Sequence, residues 1–145
     1  MKQPTKAEAH RLARAVKTAL KRKECQHWRD GFFPKSKAWN DGPCYATALA
    51  IRCVDGGRGE MMEVSAGAHA VYVLAGVAID GHGEYDLHRC LDARRKEKPK
   101  PLGWNHERKK AKGWSINWRK THGLVFLRAP ATLVRAIRRE LRRMK

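Results

Sequence analysis

Three residues have the types and the order of a thiol catalyst. Cys44 stands in GPCYATALAI, His69 opens HAVYVLAGVAID, and Asp80 closes it. A thiol at a helix start feels the positive end of the helix dipole and the unpaired N–H groups of the first turn. Both favour the reactive thiolate, and the same N–H groups can hold an oxyanion. An imidazole can take the thiol proton, and a carboxylate can fix the imidazole's tautomer and stabilise its charged form. Each residue also has a plain structural reading. Cys44 could be a small buried hydrophobe, Asp80 the start of an Asp80-Gly81 turn, and His69 a polar residue at the start of a strand.

The elements that must position these residues follow from the local pattern. From Pro43 to Val54 the chain is apolar nearly all round, through Ala46, Ala48, Leu49, Ala50 and Ile51. This predicts a helix buried inside the domain, with Asp41 as N-cap, Pro43 in the first turn and Gly56-Gly57 as the stop. Cys53 lies nine residues after Cys44, on the opposite side of that helix, and is expected to be an inert core thiol. Residues 69–80 predict a β-hairpin turning at Ala75-Gly76, with Val71 opposite Asp80 and His69 near His82. With an even loop, odd-numbered His69 and even-numbered Asp80 share one face as diagonal neighbours within hydrogen-bonding reach.

Around this centre, Thr5 and Glu8 form a capping box for an amphipathic helix over residues 6–24. The start of the chain has no continuous apolar run, so it reads as this helix and not as a signal peptide. Residues 25–41 read as an ordered loop packed by Trp28, Phe32, Phe33 and Trp39, and residues 83–92 are left unassigned. Residues 94–113 are strongly basic and read as a loop or arm within one domain of residues 1–145. WSINW and GLVFLRA are strand candidates. A last helix opens at Ala129-Pro130, with Leu133, Val134, Ile137, Leu141 and Met144 inside and Arg135, Arg138, Arg139 and Arg142 outside.

On these residues, GPCYATALAI followed by HAVYVLAGVAID, the chain resembles the core of papain-like and transglutaminase-like thiol enzymes. In those folds a cysteine opens a helix, a histidine begins a strand, and Asp or Asn lies on the next strand. The resemblance spans roughly residues 39–82. It implies Cys44 as nucleophile, His69 as general base and Asp80 as orienter. It also implies a small α+β domain whose cysteine helix packs on a short antiparallel sheet, flanked by basic N- and C-terminal helices. The oxyanion-hole glutamine of papain has no counterpart, and Asn40 is the nearest side chain that could serve with the Cys44 N–H. The implied activity is hydrolysis of a peptide, isopeptide or side-chain amide, with a protein or peptide substrate and no cofactor.

Charge carries the alternative. The chain of 145 residues has a formal net charge of +18, spread unevenly. Residues 41–93 hold eight acids and three bases, whereas the flanks hold the other 29 bases and six acids. Such a field favours polyanions or acidic protein surfaces. Residues 94–120 mix Lys and Arg with Trp104, Trp114 and Trp118, a composition suited to nucleic acid. The alternative to the enzyme is therefore a basic nucleic-acid-binding or inhibitor protein on a degenerate core of the same fold, with Arg135, Arg138, Arg139 and Arg142 as the polyanion contacts. The pairs Cys25/His27 and His88/Cys90 lack zinc-site spacing, so no metal is expected. Gly56-Gly57-Arg58-Gly59 follows a helix and has no phosphate-loop lysine, so it reads as a helix stop and linker. With no apolar run long enough to span a bilayer, the chain is expected to be cytoplasmic, with reduced cysteines and no membrane partner.

Overall fold

The computed structural model describes residues 2–36, 38–39, 42–64, 69–86, 100–101 and 128–144. The expected Asn40, the basic run 94–113 apart from Lys100–Pro101, WSINW and most of GLVFLRA lie outside them, as do His88, Cys90, Trp104, Trp114 and Trp118.

Helix α1 (Lys6–Ala19) starts where expected. Thr5 Oγ1 accepts from the Glu8 N–H at 3.2 Å, and Glu8 accepts from the Thr5 N–H at 2.7 Å. Its stripe of Ala9, Leu12, Ala13 and Val16 is buried. The helix does not run on to residue 24. Arg22 leaves helical geometry (φ −67°, ψ 148°) and sends its guanidinium to Glu140, with Nη2 2.9 Å and Nε 3.1 Å from Oε1. A second helix, α2 (Lys23–Phe32), begins there, so the first part of the expected 25–41 loop is helical. The aromatic packing expected of that segment is present, with the Trp28 ring against Phe32, Phe33 and Trp39.

Helix α3 (Cys44–Asp55) is the buried helix, with Cys44 through Ile51 enclosed. Its N-cap position is Pro43, with no side-chain cap among the described residues; the expected cap Asp41 lies outside them. Gly42 precedes it at φ +112°, a conformation open to glycine, and an added Cβ would sit 3.1 Å from the Phe33 ring. Gly56 ends α3 in left-handed geometry. Cys53 is on the opposite side from Cys44 but is exposed, because the helix stops two residues later and its last turn faces solvent. The core-thiol reading of Cys53 is therefore corrected.

The glycine stretch leads into a strand, β1 (Glu60–Val64), where the sequence reading had only a linker. Gly59 is tightly enclosed: a Cβ there would run into the Val73 carbonyl and lie 2.8 Å from the Tyr72 ring. Its N–H donates to Tyr72 Oη at 2.6 Å, and Tyr72 in turn donates to Asp55 at 2.5 Å. β2 (His69–Leu74) and β3 (Val77–Asp80) form the expected hairpin, with Tyr72 opposite Ile79 and Leu74 opposite Val77. Ala75 and Gly76 both have positive φ in its turn, as a two-residue hairpin of this hand requires. β4 (Gly83–Tyr85) follows, and β5 (Lys100–Pro101) pairs with β1. All neighbours are antiparallel, in the order β4-β3-β2-β1-β5.

The last helix, α4 (Ala131–Arg143), buries Leu133, Val134, Ala136 and Ile137 against α1 and α3. Helices α1, α3 and α4 thus share one core with one face of the sheet, giving the expected α+β architecture with basic helices at both ends of the chain. No described helix is long and apolar enough to cross a membrane.

Candidate active site

The hairpin brings two of the three residues together. His69 Nε2 lies 3.0 Å from Asp80 Oδ2, and both side chains are nearly sealed from solvent. A carboxylate only accepts, so this bond assigns the proton to Nε2 and leaves the Nδ1 lone pair free. Nδ1 is buried and has no hydrogen-bond partner among the described residues. Asp80 also performs its structural task. Its Oδ1 accepts from the His82 N–H at 2.8 Å, closing the Gly81-His82 turn into β4. The tilted ring of Tyr85, 5.2 Å from the imidazole, forms one wall.

Cys44 lies on the helix side of the sheet. Strand alternation turns Ala70, Tyr72 and Leu74 toward the helices, in the core cluster that contains Cys44. It turns Val71 the other way, with Val64 and Ala78. His69 and Asp80 have the parity of Val71 and Ala78, so imidazole and thiol approach from opposite faces of the sheet. What links them is the backbone where β2 begins, since Ala70 follows His69 and its N–H acts on the Cys44 thiol. The backbone N–H groups of Ala70, Tyr45 and Cys44 itself favour the thiolate form of Cys44. No hydrogen bond joins the thiol to His69 Nδ1.

Burial dominates the thiol's chemistry. Cys44 is 1% exposed. Desolvation pushes its pKa up to about 12, the three N–H groups pull it down by less, and the Asp80 charge adds to the rise. The expectation of a resting thiolate at the helix start is thus reversed: the field of the first turn is present, but loss of water outweighs it.

Compared with family models, curated proteins and solved structures, the chain matches none. The reading of the site therefore rests on its own geometry.

Trp39 supports the site from behind. It is buried, and a Cβ on Gly81 would collide with it, so the turn that carries Asp80 is seated directly on the indole. Sequence reasoning placed Trp39 in the aromatic packing but not beneath this turn. Tyr85 was missed as well, because residues 83–92 gave no clear period; its place opposite Ala78 in the ladder is what brings it to His69. Among the described residues no group of three His, Cys, Asp or Glu could hold a metal ion. The four arginines Arg135, Arg138, Arg139 and Arg142 are remote in kind from this centre, lining a groove between α2 and α4.

Proposed function

We propose that the protein is a thiol hydrolase of papain-like type, acting on a peptide, isopeptide or side-chain amide bond through Cys44, His69 and Asp80. One observation carries the reading: Asp80 holds Nε2 of a buried imidazole while its Nδ1 has no partner among the described residues, next in sequence to Ala70, whose N–H favours the Cys44 thiolate. A purely structural histidine at this burial would be expected to satisfy both ring nitrogens.

With a neutral thiol at rest, deprotonation accompanies attack. The Cys44 proton passes to His69 Nδ1 as the base. Sγ forms a bond to the substrate carbonyl carbon, and the carbonyl electron pair moves onto oxygen. The N–H groups around the sulfur are donors for that oxyanion. The intermediate collapses, His69 returns the proton to the leaving amine, and a thioester remains. Water then attacks the thioester with His69 as base, releasing the acid and the thiol. Asp80 keeps Nε2–H in place throughout and offsets the imidazolium charge. A reducing compartment such as the cytosol suits this chemistry, since it keeps Cys44 as the thiol.

The test is acyl transfer from 4-nitrophenyl acetate in a Cys53→Ser/Cys90→Ser background, which removes the one exposed thiol among the described residues and the cysteine outside them. The expected result is nitrophenolate release with transient acetylation of Cys44, read by intact-protein mass spectrometry. His69→Ala should slow it roughly 10²- to 10⁴-fold, the usual range for a general base, and Asp80→Asn should slow it less. Equal rates in the parent and His69→Ala, both proteins folded, would exclude the triad.

A further inference from the structure

We propose that the groove between α2 and α4 binds single-stranded nucleic acid, with phosphates on Arg135, Arg138, Arg139 and Arg142 and a base against Trp28. The groove is lined by those four arginines on one side and by His27 and Trp28 on the other. All four arginines are exposed, and no ion pair occupies any of them among the described residues. They share one face of α4 and span seven residues, about 10.5 Å along the axis, so the guanidinium groups are drawn out along the helix.

Helix α4 also keeps its single acid out of that row. Glu140 is buried and held by Arg22 at 2.9 Å, with Arg143 at 3.6 Å. The acid in the groove lining, Glu24, lies 3.6 Å from Arg22. Across the groove, half-buried Trp28 stacks on Trp39 with centroids 6.3 Å apart and planes 8° from parallel, and exposed Phe32 lies 5.3 Å from it. The indole is thus held in place before any ligand arrives. A row of cations facing an anchored aromatic wall is the arrangement that tracks a phosphate backbone and stacks a base. An acidic peptide would use the arginines but has no systematic need for the indole. This inference goes beyond the thiol chemistry and stands whether or not Cys44 is a nucleophile.

The experiment is fluorescence anisotropy of the full chain with a labelled oligo(dT), an abasic strand of the same length, and polyglutamate, across a salt series. The parent should bind oligo(dT) at least 5-fold more tightly than the abasic strand, and polyglutamate more weakly than either. Changing the four arginines to Gln should flatten the salt slope of log K by up to roughly 3, since each single-strand phosphate contact contributes about 0.7. Trp28→Ala should weaken oligo(dT) binding roughly 5- to 100-fold and leave the abasic strand unaffected. The oligo(dT)-to-abasic ratio needs no mutant, so it holds even if Trp28→Ala fails to fold. Equal affinity for all three probes, tighter binding of polyglutamate, or an unchanged slope in the arginine variant would overturn the proposal.

Discussion

Cys44 and Cys53 stand on one helix in opposite surroundings, and their reactivities should follow. Cys53 is exposed, whereas Cys44 and Cys25 are buried and each is pushed up to about 12 by loss of water. With limiting iodoacetamide at neutral pH, Cys53 should label first among the three described thiols, and Cys44 and Cys25 far more slowly, speeding up on unfolding. Peptide mapping by mass spectrometry reads the order; early modification of Cys44 would mean that its sulfur is not enclosed. The Cys44 alkylation profile should also have no low-pH limb, because a raised pKa keeps the thiol protonated throughout the neutral range. The limits of sequence reasoning are visible at this residue. Helix start and dipole follow from Gly42-Pro43-Cys44, but desolvation depends on what else packs there, and local spacing does not contain that. His69 and Asp80 were legible because hairpin parity is a local property: a two-residue turn at Ala75-Gly76 determines which side chains share a face.

At the level of elements, two glycines separate helix propensity from close packing. Gly31 lies within α2 with nothing within 4 Å of an added Cβ, so Gly31→Ala should stabilise the protein by about 0.5–1 kcal/mol. Gly59 lies where β1 begins, hard against the Val73 carbonyl and the Tyr72 ring, so Gly59→Ala should destabilise it by about 2–4 kcal/mol. Urea unfolding of both variants measures the contrast, and a similar effect from the two would mean that Gly59 is not tightly enclosed. The same region explains two misread elements. EMMEV shows neither strict alternation nor a β-branched run, so β1 is recognisable only from its pairing with β2. Cys25, Trp28 and Phe32 have helical spacing, but Gly31 and the aromatics concealed it. The break before α2 falls at Arg22, whose partner Glu140 is 118 residues away in sequence.

For the whole molecule, the excess of positive charge sets the response to salt. A formal charge of +18 on 145 residues repels itself in the folded state, and added salt screens that repulsion. The thermal midpoint should therefore rise as NaCl is increased from low concentration toward physiological ionic strength. A falling midpoint, followed by circular dichroism, would mean that pairs such as Arg58 with Asp55 at 2.7 Å outweigh the repulsion. The enclosure of Cys44 also has a kinetic consequence at this scale. A sulfur that is 1% exposed reacts only in the fraction of molecules that have opened. The observed rate of any reagent is then its intrinsic rate multiplied by that fraction, so every electrophile should be slowed by the same factor relative to a free thiol. A molecule that binds the opened form would raise the population on which every later step depends.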